Sequence, residues 1–226
     1  MENPTQETGL LNEAELGELA ELGHRVRYPA RSKVVQEGDN SDFVLYLMDG
    51  HIQVVTGKPP EIIRIYGPGD IAGERASVTG KLRSADLVAF DEVEAYFIPG
   101  REWRRFIEQR PAVLMKLYRA TLDRLESREP SRSASASTVE FKVASALIRL
   151  LESGLGQAVP EGHRISGISQ RELGYLSDIS RESVSIGLRP LRERGAISTG
   201  RNCFTILDLA EIERVAHRSY RTSEPL

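Results

Sequence analysis

The length and composition of the chain exclude several classes of protein. The 226 residues are 40% hydrophobic and 28% charged with a formal net charge of −3, values ordinary for a soluble globular protein of two small domains. A single cysteine, Cys203, excludes an internal disulfide and any cysteine-based iron–sulfur or zinc cluster within one chain. No apolar run reaches the roughly 18–20 residues that span a bilayer. Residues 1–11 lack a basic-then-apolar leader, so we expect a cytoplasmic protein.

The net charge hides a segregation along the chain. Residues 1–129 carry 17 Lys/Arg against 22 Asp/Glu, whereas residues 130–226 carry 13 against 11. Within the second part, residues 180–202 hold five arginines and two glutamates. A locally basic segment beside an acidic module is typical of a protein whose affinity for nucleic acid is concentrated in one place.

The first elements in chain order are a short helix and a series of strands. Asn12 followed by Glu15 predicts a helix start, because the asparagine caps the helix and the acid can reach back to it. From about Tyr28 the hydrophobic period changes to two, and Asp49-Gly50 is a tight hairpin signal. The strand-like runs are residues 43–48, 52–54, 62–66, 85–88 and 95–98. So many short strands with glycine turns predict a β sandwich or barrel over residues 28–98.

Two helices are predicted after this β domain, over residues 100–109 and after Pro111. The apolar residues of the second helix form two stripes. One stripe, suited to packing on the β domain, contains Val113, Leu117 and Ala120. The other has the spacing of a coiled-coil seam and contains Leu114, Tyr118, Thr121 and Leu125. We therefore expect a dimerisation helix, with a monomeric helix that buries one broad face as the alternative.

A linker separates the two halves of the chain. Pro130 ends the preceding helix, and the small polar residues that follow it are typical of a hinge. Residues 139–152 again have helical spacing. The predicted organisation is α+β: a β-rich sensor domain over residues 1–110, a dimerisation helix over 111–129, a hinge over 130–138 and a second domain over 139–226.

The most informative segment covers residues 168–195. Ser169 with Glu172 predicts a capped helix, and Ser177-Asp178-Ile179 predicts a short turn. Ser180 caps a second helix, with Ser183 three positions on. The buried side of this second helix is predicted to be Val184, Leu188 and Leu191. Two short helices joined by so tight a turn predict a helix-turn-helix, whose second helix enters the major groove of DNA.

Exposed side chains around this second helix are candidates for contacts to DNA. Arginine can bind guanine O6 and N7 with two hydrogen bonds, and glutamate can accept from cytosine N4. Residues 196–198 and 204–207 flank a hairpin tip, which predicts a wing whose Arg201 reaches phosphate. The candidate DNA-binding residues are Ser169, Gln170, Ser180, Arg181, Glu182, Ser183, Ser185, Ile186, Arg189 and Arg201. The alternative is a small helical domain with solvated arginines.

The chain resembles the CRP/FNR family of bacterial transcription regulators over nearly its whole length. The matching residues are 169–173, 180–184, Leu188, Leu191, Gly195-Ala196-Ile197, Asp49-Gly50, Gly67-Pro68-Gly69-Asp70, Gly73-Glu74 and Arg83-Ser84-Ala85. The resemblance implies a cyclic-nucleotide-binding β-roll, dimerisation through the long helix and a C-terminal winged helix-turn-helix. It also implies binding of double-stranded DNA at a two-fold symmetric operator and contact with RNA polymerase.

The resemblance further implies a ligand site of Gly73, Glu74, Arg83, Ser84 and Ala85. Arg83 and the Ser84 hydroxyl could cradle a phosphate, and Glu74 could accept a ribose hydroxyl. Three alternatives stay open. The ligand is cyclic AMP or cyclic GMP, it is another nucleotide or small molecule, or there is none and Arg83 pairs with Glu74.

Departures from the family pattern affect the ligand site first. The segment between Glu74 and Arg83 is one residue shorter than in the cyclic AMP receptor, and Arg75 stands where an apolar residue is usual. Arg128-Glu129 occupies the place of the Thr-Ser pair that contacts adenine in that receptor. The purine contact of the family is therefore not reproduced in this sequence.

The second helix of the helix-turn-helix also departs from the family. Ile186 aligns with the second base-reading arginine, and isoleucine can touch a thymine methyl but cannot read guanine. Gly187 and Pro190 are expected to weaken the later part of this helix. We therefore expect an operator that differs from the family consensus.

The sequence favours a dimeric, sequence-specific DNA-binding regulator controlled by a small ligand. The alternatives are a ligand-independent regulator whose β-roll is a dimer scaffold, and an enzyme with a nucleotide-sensing accessory domain. No nucleophile–base pair, phosphate loop or metal set supports the enzyme. A metal or haem sensor is not expected either, because the four histidines show no paired spacing: His24, His51, His163 and His217.

Overall fold

The computed structural model describes residues 10–126 and 136–217. Among these residues, one compact unit contains 10–60 and 64–126, and a second contains 61–63 and 136–217. No helix in the described ranges is both long enough and apolar enough to cross a lipid bilayer.

The first unit, together with residues 61–63 at the beginning of one of its strands, combines two sheets with four helices. The helices are α1 (Glu13–Glu21), α2 (Glu74–Thr79), α3 (Gly100–Glu108) and α4 (Pro111–Glu126). The strands are β1 (His24–Tyr28), β2 (Lys33–Val35), β3 (Phe43–Asp49), β4 (Ile52–Thr56), β5 (Glu61–Tyr66), β6 (Ile71–Ala72), β7 (Asp86–Ala89) and β8 (Val93–Pro99). The sheets have the strand orders β1-β8-β3-β6 and β2-β7-β4-β5. The β-rich fold expected from the period-two pattern is thereby confirmed.

The central strand β3 shows how the first unit builds its core. Residues 44–47 are all buried, so both faces of the strand are covered. Val44 and Tyr46 lie in one apolar cluster with Trp103 and Phe106 of α3. Since each face packs against other elements, β3 reads as a continuous apolar run in the sequence.

Two helix starts in the first unit have local causes. The Asn12 side chain accepts from the Glu15 N–H at 2.9 Å, and the Glu15 carboxylate accepts from the Asn12 N–H at 2.9 Å, as the capping-box pattern predicts. Helix α4 begins on Pro111, a first-turn position at which the missing N–H of proline costs no helical hydrogen bond.

The second unit is a helix-turn-helix with a four-stranded antiparallel sheet. Its helices are α5 (Ala136–Glu152), α6 (Gln170–Ser177), α7 (Arg181–Glu193) and α8 (Leu209–Ala216). The strands are β9 (Gly156–Val159), β10 (Gly162–Ser166), β11 (Ile197–Gly200) and β12 (Cys203–Ile206), in the order β11-β12-β10-β9. The sequence pattern did not predict β9 and β10. Helix α5 begins at Ala136, inside the range predicted for the hinge.

Helix α7 continues past Gly187 and through Pro190 to Glu193. The expected weakening of its later part stays a prediction. Gly187 is buried, and a Cβ atom on it would lie 2.9 Å from the Val139 carbonyl oxygen and 2.9 Å from Cγ2 of Val143. The glycine therefore allows α7 to approach α5 closely, and this packing compensates for its poor helix propensity.

Candidate DNA interface and ligand site

The helix-turn-helix is built from two helix caps, both predicted. The Ser169 hydroxyl accepts from the Glu172 N–H at 3.2 Å, and the Glu172 carboxylate accepts from the Ser169 N–H at 2.6 Å. The Ser180 hydroxyl accepts from the Ser183 N–H at 3.1 Å and so fixes the start of α7. Three of the serines proposed to contact DNA are thus already used within the fold as capping residues or their partners.

The turn between α6 and α7 depends on two special backbone positions. Asp178 ends α6 in the left-handed conformation, with φ of 52°. A Cβ atom on Gly174 would lie 2.8 Å from the Ile179 carbonyl oxygen, so only glycine lets the turn pass this close to α6. The Ile179 N–H donates to the Gly174 carbonyl at 3.0 Å and closes the turn.

Helix α7 has one buried side and one exposed face. Its buried residues are Val184, Gly187, Leu188 and Leu191. The exposed residues near its beginning are Arg181, Glu182, Ser185, Ile186 and Arg189. The structure therefore brings five of the predicted DNA-binding residues onto a single face, which we call the reading face.

The charged groups of the reading face are held in different ways. Within the described residues, Arg181 has neither a hydrogen bond nor a salt bridge. Arg189 Nε donates to Glu193 Oε1 at 2.8 Å, an exposed pair one helical turn apart. Hydrogen bonds from the Glu182 backbone N–H and then from the Ser180 hydroxyl lower the pKa of the Glu182 carboxyl. Glu182 is therefore an ionised acceptor at neutral pH.

The predicted wing is the hairpin of β11 and β12. Gly200 pairs with Cys203, and Arg201 and Asn202 form the tip. Asn202 adopts the left-handed conformation with φ of 54°, and its carbonyl accepts from the Gly167 N–H at 2.9 Å. Arg201 is exposed and has no hydrogen bond or salt bridge in the described ranges.

The candidate ligand site is the loop and helix over residues 73–85, which we call the cassette. Its central residue, Arg83, is only 4% exposed. The guanidinium donates from Nε to Ser41 Oγ at 2.9 Å, from Nη1 to the Gly73 carbonyl at 2.8 Å and from Nη2 to the Phe43 carbonyl at 2.8 Å. It also lies 4.6 Å from the centroid of the Phe43 ring. Burial lowers the pKa of Arg83, against weaker opposite effects of Asp42, Asp39 and Glu74.

The other cassette residues differ in burial and in how they interact with this guanidinium. Gly73 has φ of 88°, and a Cβ atom there would lie 2.6 Å from Arg83 Nη1. Glu74 begins α2 and attracts the Arg83 charge. Ala85 is buried whereas Ser84 is exposed. The sequence analysis left open that Arg83 simply pairs with Glu74. Glu74 does attract the Arg83 charge, but the hydrogen bonds of the guanidinium go to one hydroxyl and two carbonyl oxygens.

A second arginine joins the cassette to helix α3, and no pattern in the sequence indicated it. Arg104 Nη1 donates to the two carboxylate oxygens of Asp42 at 3.1 and 3.0 Å. It also donates to the Ser77 carbonyl at 2.8 Å and lies 3.3 Å from the Ser77 hydroxyl. Arg83 and Arg104 thus hold the Ser41-Asp42-Phe43 segment from the cassette and from α3.

Helix α4 presents an exposed apolar face. Leu114, Met115, Tyr118 and Leu122 are 39–56% exposed. Thr121 is also exposed, and its hydroxyl donates to the Leu117 carbonyl at 2.8 Å, which satisfies its only donor. Val113 on the other side is fully buried. Of the predicted seam, the side chain of Leu125 lies outside the described residues, and so do Arg128 and Glu129.

Comparison with known proteins decides the family. Residues 25–110 match the cyclic nucleotide-binding domain, and residues 142–215 match the Crp-like helix-turn-helix domain. The cAMP-activated global transcriptional regulator CRP of Pasteurella multocida is 31% identical over 183 residues, 77% of this chain and 86% of that protein. The chain belongs to the CRP/FNR family. This regulator is also 26% identical over 193 residues to the cyclic AMP receptor protein of Thermus thermophilus, covering 84% and 86% of the two chains.

Solved structures agree with the fold of this CRP/FNR-family regulator. A CRP-family transcriptional regulator from Thermus thermophilus superposes with a TM-score of 0.66 at 23% identity, covering 84% of this chain and 96% of that one. The c-di-GMP responsive global regulator CLP of Xanthomonas campestris gives 0.66 at 18% identity, covering 86% and 99%. The predicted family, the α+β fold class and the function of a DNA-binding transcription regulator are confirmed.

Proposed function

We propose that this regulator is a homodimer that reads a two-fold symmetric operator and is controlled by a small ligand in the cassette. The observation that carries the ligand part is Arg83, a buried cation whose direct hydrogen bonds go to uncharged oxygen atoms. Those bonds use three of the five N–H groups that a guanidinium offers. A phosphate beside it would supply the charged partner that a buried cation favours.

The chemistry of the cassette residues supports a phosphate ligand. Arg83 would hold the anion, the exposed Ser84 hydroxyl could donate to it, and Glu74 would accept from a ribose hydroxyl. Relatives are described as cAMP-activated and as c-di-GMP responsive. We therefore propose a cyclic nucleotide or a related nucleotide as the ligand class.

The same contacts suggest how a ligand acts on the rest of the β-roll. A phosphate at Arg83 would compete with the Phe43 and Gly73 carbonyls for the guanidinium. Arg104 holds the adjacent Asp42 and also contacts Ser77 of the cassette. A shift at Arg83 would therefore reach α3, which leads directly into α4.

A second candidate is a ligand-independent regulator whose β-roll is only a dimer scaffold. The observation in its favour is again Arg83, because a guanidinium held by three protein oxygens is stable without a ligand. A ligand that binds the folded state must raise the melting temperature. The change in melting temperature on addition of a ligand therefore distinguishes the two candidate functions.

The deciding experiment is a thermal shift and calorimetric titration with cyclic AMP, cyclic GMP and cyclic dinucleotides. We expect one of them to raise the melting temperature of the wild type. The effect should be lost in Arg83→Gln and kept in Arg27→Gln, an exposed arginine on β1 with a surface salt bridge to Glu94. No rise with any of these compounds at millimolar concentration would support the scaffold function instead.

The exposed apolar face of α4 supports the homodimer. Four large apolar side chains exposed together on one helix are typical of an interface. Leu114→Glu places a charge in the seam and should weaken dimerisation and DNA binding together by about tenfold or more. Ala112→Glu, on the opposite side of the same helix, is the matched control. Sedimentation of Leu114→Glu as a dimer with normal DNA affinity would rule out this interface.

The reading face and the wing support operator recognition by α7. We infer that Arg181 reaches a base edge and that Arg201, at the wing tip, reaches backbone phosphate. Two-fold related helices place the half-sites about 10 base pairs apart, centre to centre. We include contact with RNA polymerase in this proposal because the chain belongs to the CRP/FNR family. Selection of binding sites from random DNA, followed by footprinting, tests the symmetry and the spacing.

A further inference from the structure

One apolar side chain lies on the reading face. Ile186 is 56% exposed, whereas Val184 two residues earlier is fully buried. Two residues of α-helix correspond to a rotation of about 200°. Ile186 therefore points almost directly away from the side of α7 that packs on α5 and α6.

The exposed neighbours of Ile186 on α7 are polar. Glu182 lies one turn before it, Arg189 one turn after it, and Ser185 beside it. Among residues 139–217, the only other large apolar side chain with comparable exposure is Leu207, which lies after β12. An isolated exposed isoleucine is ordinary on a protein surface. On the face that enters the major groove, however, it meets base edges when DNA is bound.

The major groove contains one apolar group, the C5-methyl of thymine. A branched aliphatic side chain can cover this methyl group and exclude water from both, but it has no atom that can hydrogen-bond to guanine or adenine. Arg189, one turn after Ile186, forms an exposed pair with Glu193. Ile186 itself offers the groove only an apolar contact.

We infer that Ile186 recognises the 5-methyl group of a pyrimidine, at one position in each half-site. The protein then distinguishes thymine from uracil, and 5-methylcytosine from cytosine, at that position. This inference rests on the proposed reading of an operator by α7 and names the group that is read. Methylation of a cytosine at this position would act as a binding signal.

The helix geometry also gives the place of this position. Ile186 follows Arg181 by five residues, or roughly 7.5 Å of helix rise. Base pairs are stacked about 3.4 Å apart, so the methyl-dependent position lies within about two base pairs of the guanine read by Arg181. A methyl contact far from that guanine would not fit α7 as the element that makes it.

The experiment uses full-length protein and an operator selected from random DNA. Each thymine is replaced in turn by deoxyuridine, which removes only the methyl group. We expect about fourfold weaker binding for one half-site at one thymine, the effect of losing one buried methyl group. A cytosine placed there should bind more tightly when it carries a 5-methyl group.

Variants connect this effect to Ile186. In Ile186→Ala the ratio of affinities for thymine and deoxyuridine should fall to about one, whereas in Arg181→Ala the ratio should be kept although overall affinity falls. Ile186→Arg should change the preference at this position to guanine, because arginine binds O6 and N7. Position 186 is exposed, so these substitutions leave the packing of α7 intact.

The outcomes separate this inference from the proposed function. Equal affinity for thymine and deoxyuridine at every position, with guanine preference at the Arg181 position retained, would overturn the methyl contact and leave operator reading standing. A methyl effect that persists in Ile186→Ala would also overturn it. If no DNA sequence is selected, the proposed operator reading itself fails.

Discussion

Arg83 of the first unit differs from Arg181 and Arg201 of the second unit in burial and in hydrogen bonding. In the β-roll, Arg83 is 4% exposed and donates to three protein oxygen atoms. In the winged helix-turn-helix, Arg181 and Arg201 are exposed and have no hydrogen bond or salt bridge within the described ranges. A groove of DNA brings its own acceptors to the protein surface, whereas a small ligand must be enclosed. Substitutions of Arg181 or Arg201 should therefore reduce binding alone, and substitutions at Arg83 should reduce stability as well.

The largest effect is expected for Arg83→Ala. The change removes a buried side chain and leaves the partly buried Phe43 and Gly73 carbonyls without this donor, so the free energy of unfolding of the β-roll should fall by about 3 kcal/mol. Urea denaturation followed by circular dichroism measures it. Arg27→Ala, which removes an exposed ion pair, should change the value by less than about 0.5 kcal/mol. Equal, small losses of unfolding free energy in both variants would show that Arg83 does not stabilise the β-roll more than an exposed arginine does.

The buried side of α7 gives the next effect. By helix propensity, Gly187→Ala should stabilise the protein by up to about 1 kcal/mol. The structure predicts the opposite, a loss of about 2 kcal/mol, because the new Cβ atom meets the Val139 backbone. Gly17→Ala in α1 is the matched control, since a Cβ atom there meets nothing within 4 Å. The same denaturation assay decides, and a more stable Gly187→Ala would contradict the close packing of α5 and α7.

Arg181→Ala tests the exposed face directly. We expect binding to the operator to weaken by about 1–3 kcal/mol and the preference to relax at one position in each half-site. The free energy of unfolding should stay within about 0.5 kcal/mol of the wild type, unlike Arg83→Ala. Binding titrations on matched and mutated operators measure the first effect. An equal loss on every sequence would show that Arg181 holds phosphate, and base reading would then fall to Glu182, Ser185 or Arg189.

The smallest effect is expected at the wing. Arg201→Ala should weaken binding to all sequences alike, because an interaction with phosphate carries no sequence information. The slope of log affinity against log salt should fall by about one unit for each phosphate that the protein no longer neutralises. A salt-titrated binding series measures this slope. A change of sequence preference in Arg201→Ala would place the wing at a base edge instead.

Local features of the structure were predicted well from the sequence. The capping residues Asn12, Ser169 and Ser180 act as the patterns indicate. Strands β3, β4, β5, β7 and β8 lie where the strand-like runs predict them, whereas β1 was not predicted. These signals are readable because a cap or an alternation acts between residues a few positions apart.

Short elements were harder to predict. Strands β2 and β6, helix α2, and strands β9 and β10 have at most six residues each, too few for a period to stand out. Strands β2 and β6 pair with strands distant in the chain, as in the pairing of Leu45 with Ala72. The place of such an element is fixed by its partner strand and not by its own residues.

The sequence by itself determined the helix-turn-helix, the wing and the two-faced character of α4, since each is encoded by nearby residues. Only the tertiary structure decided what Arg83 and Gly187 do. Arg83 meets Ser41 and Phe43, 42 and 40 residues away, and Gly187 meets the backbone of α5. Contacts over such separations depend on how the chain returns to itself, which propensity and spacing along one segment do not contain.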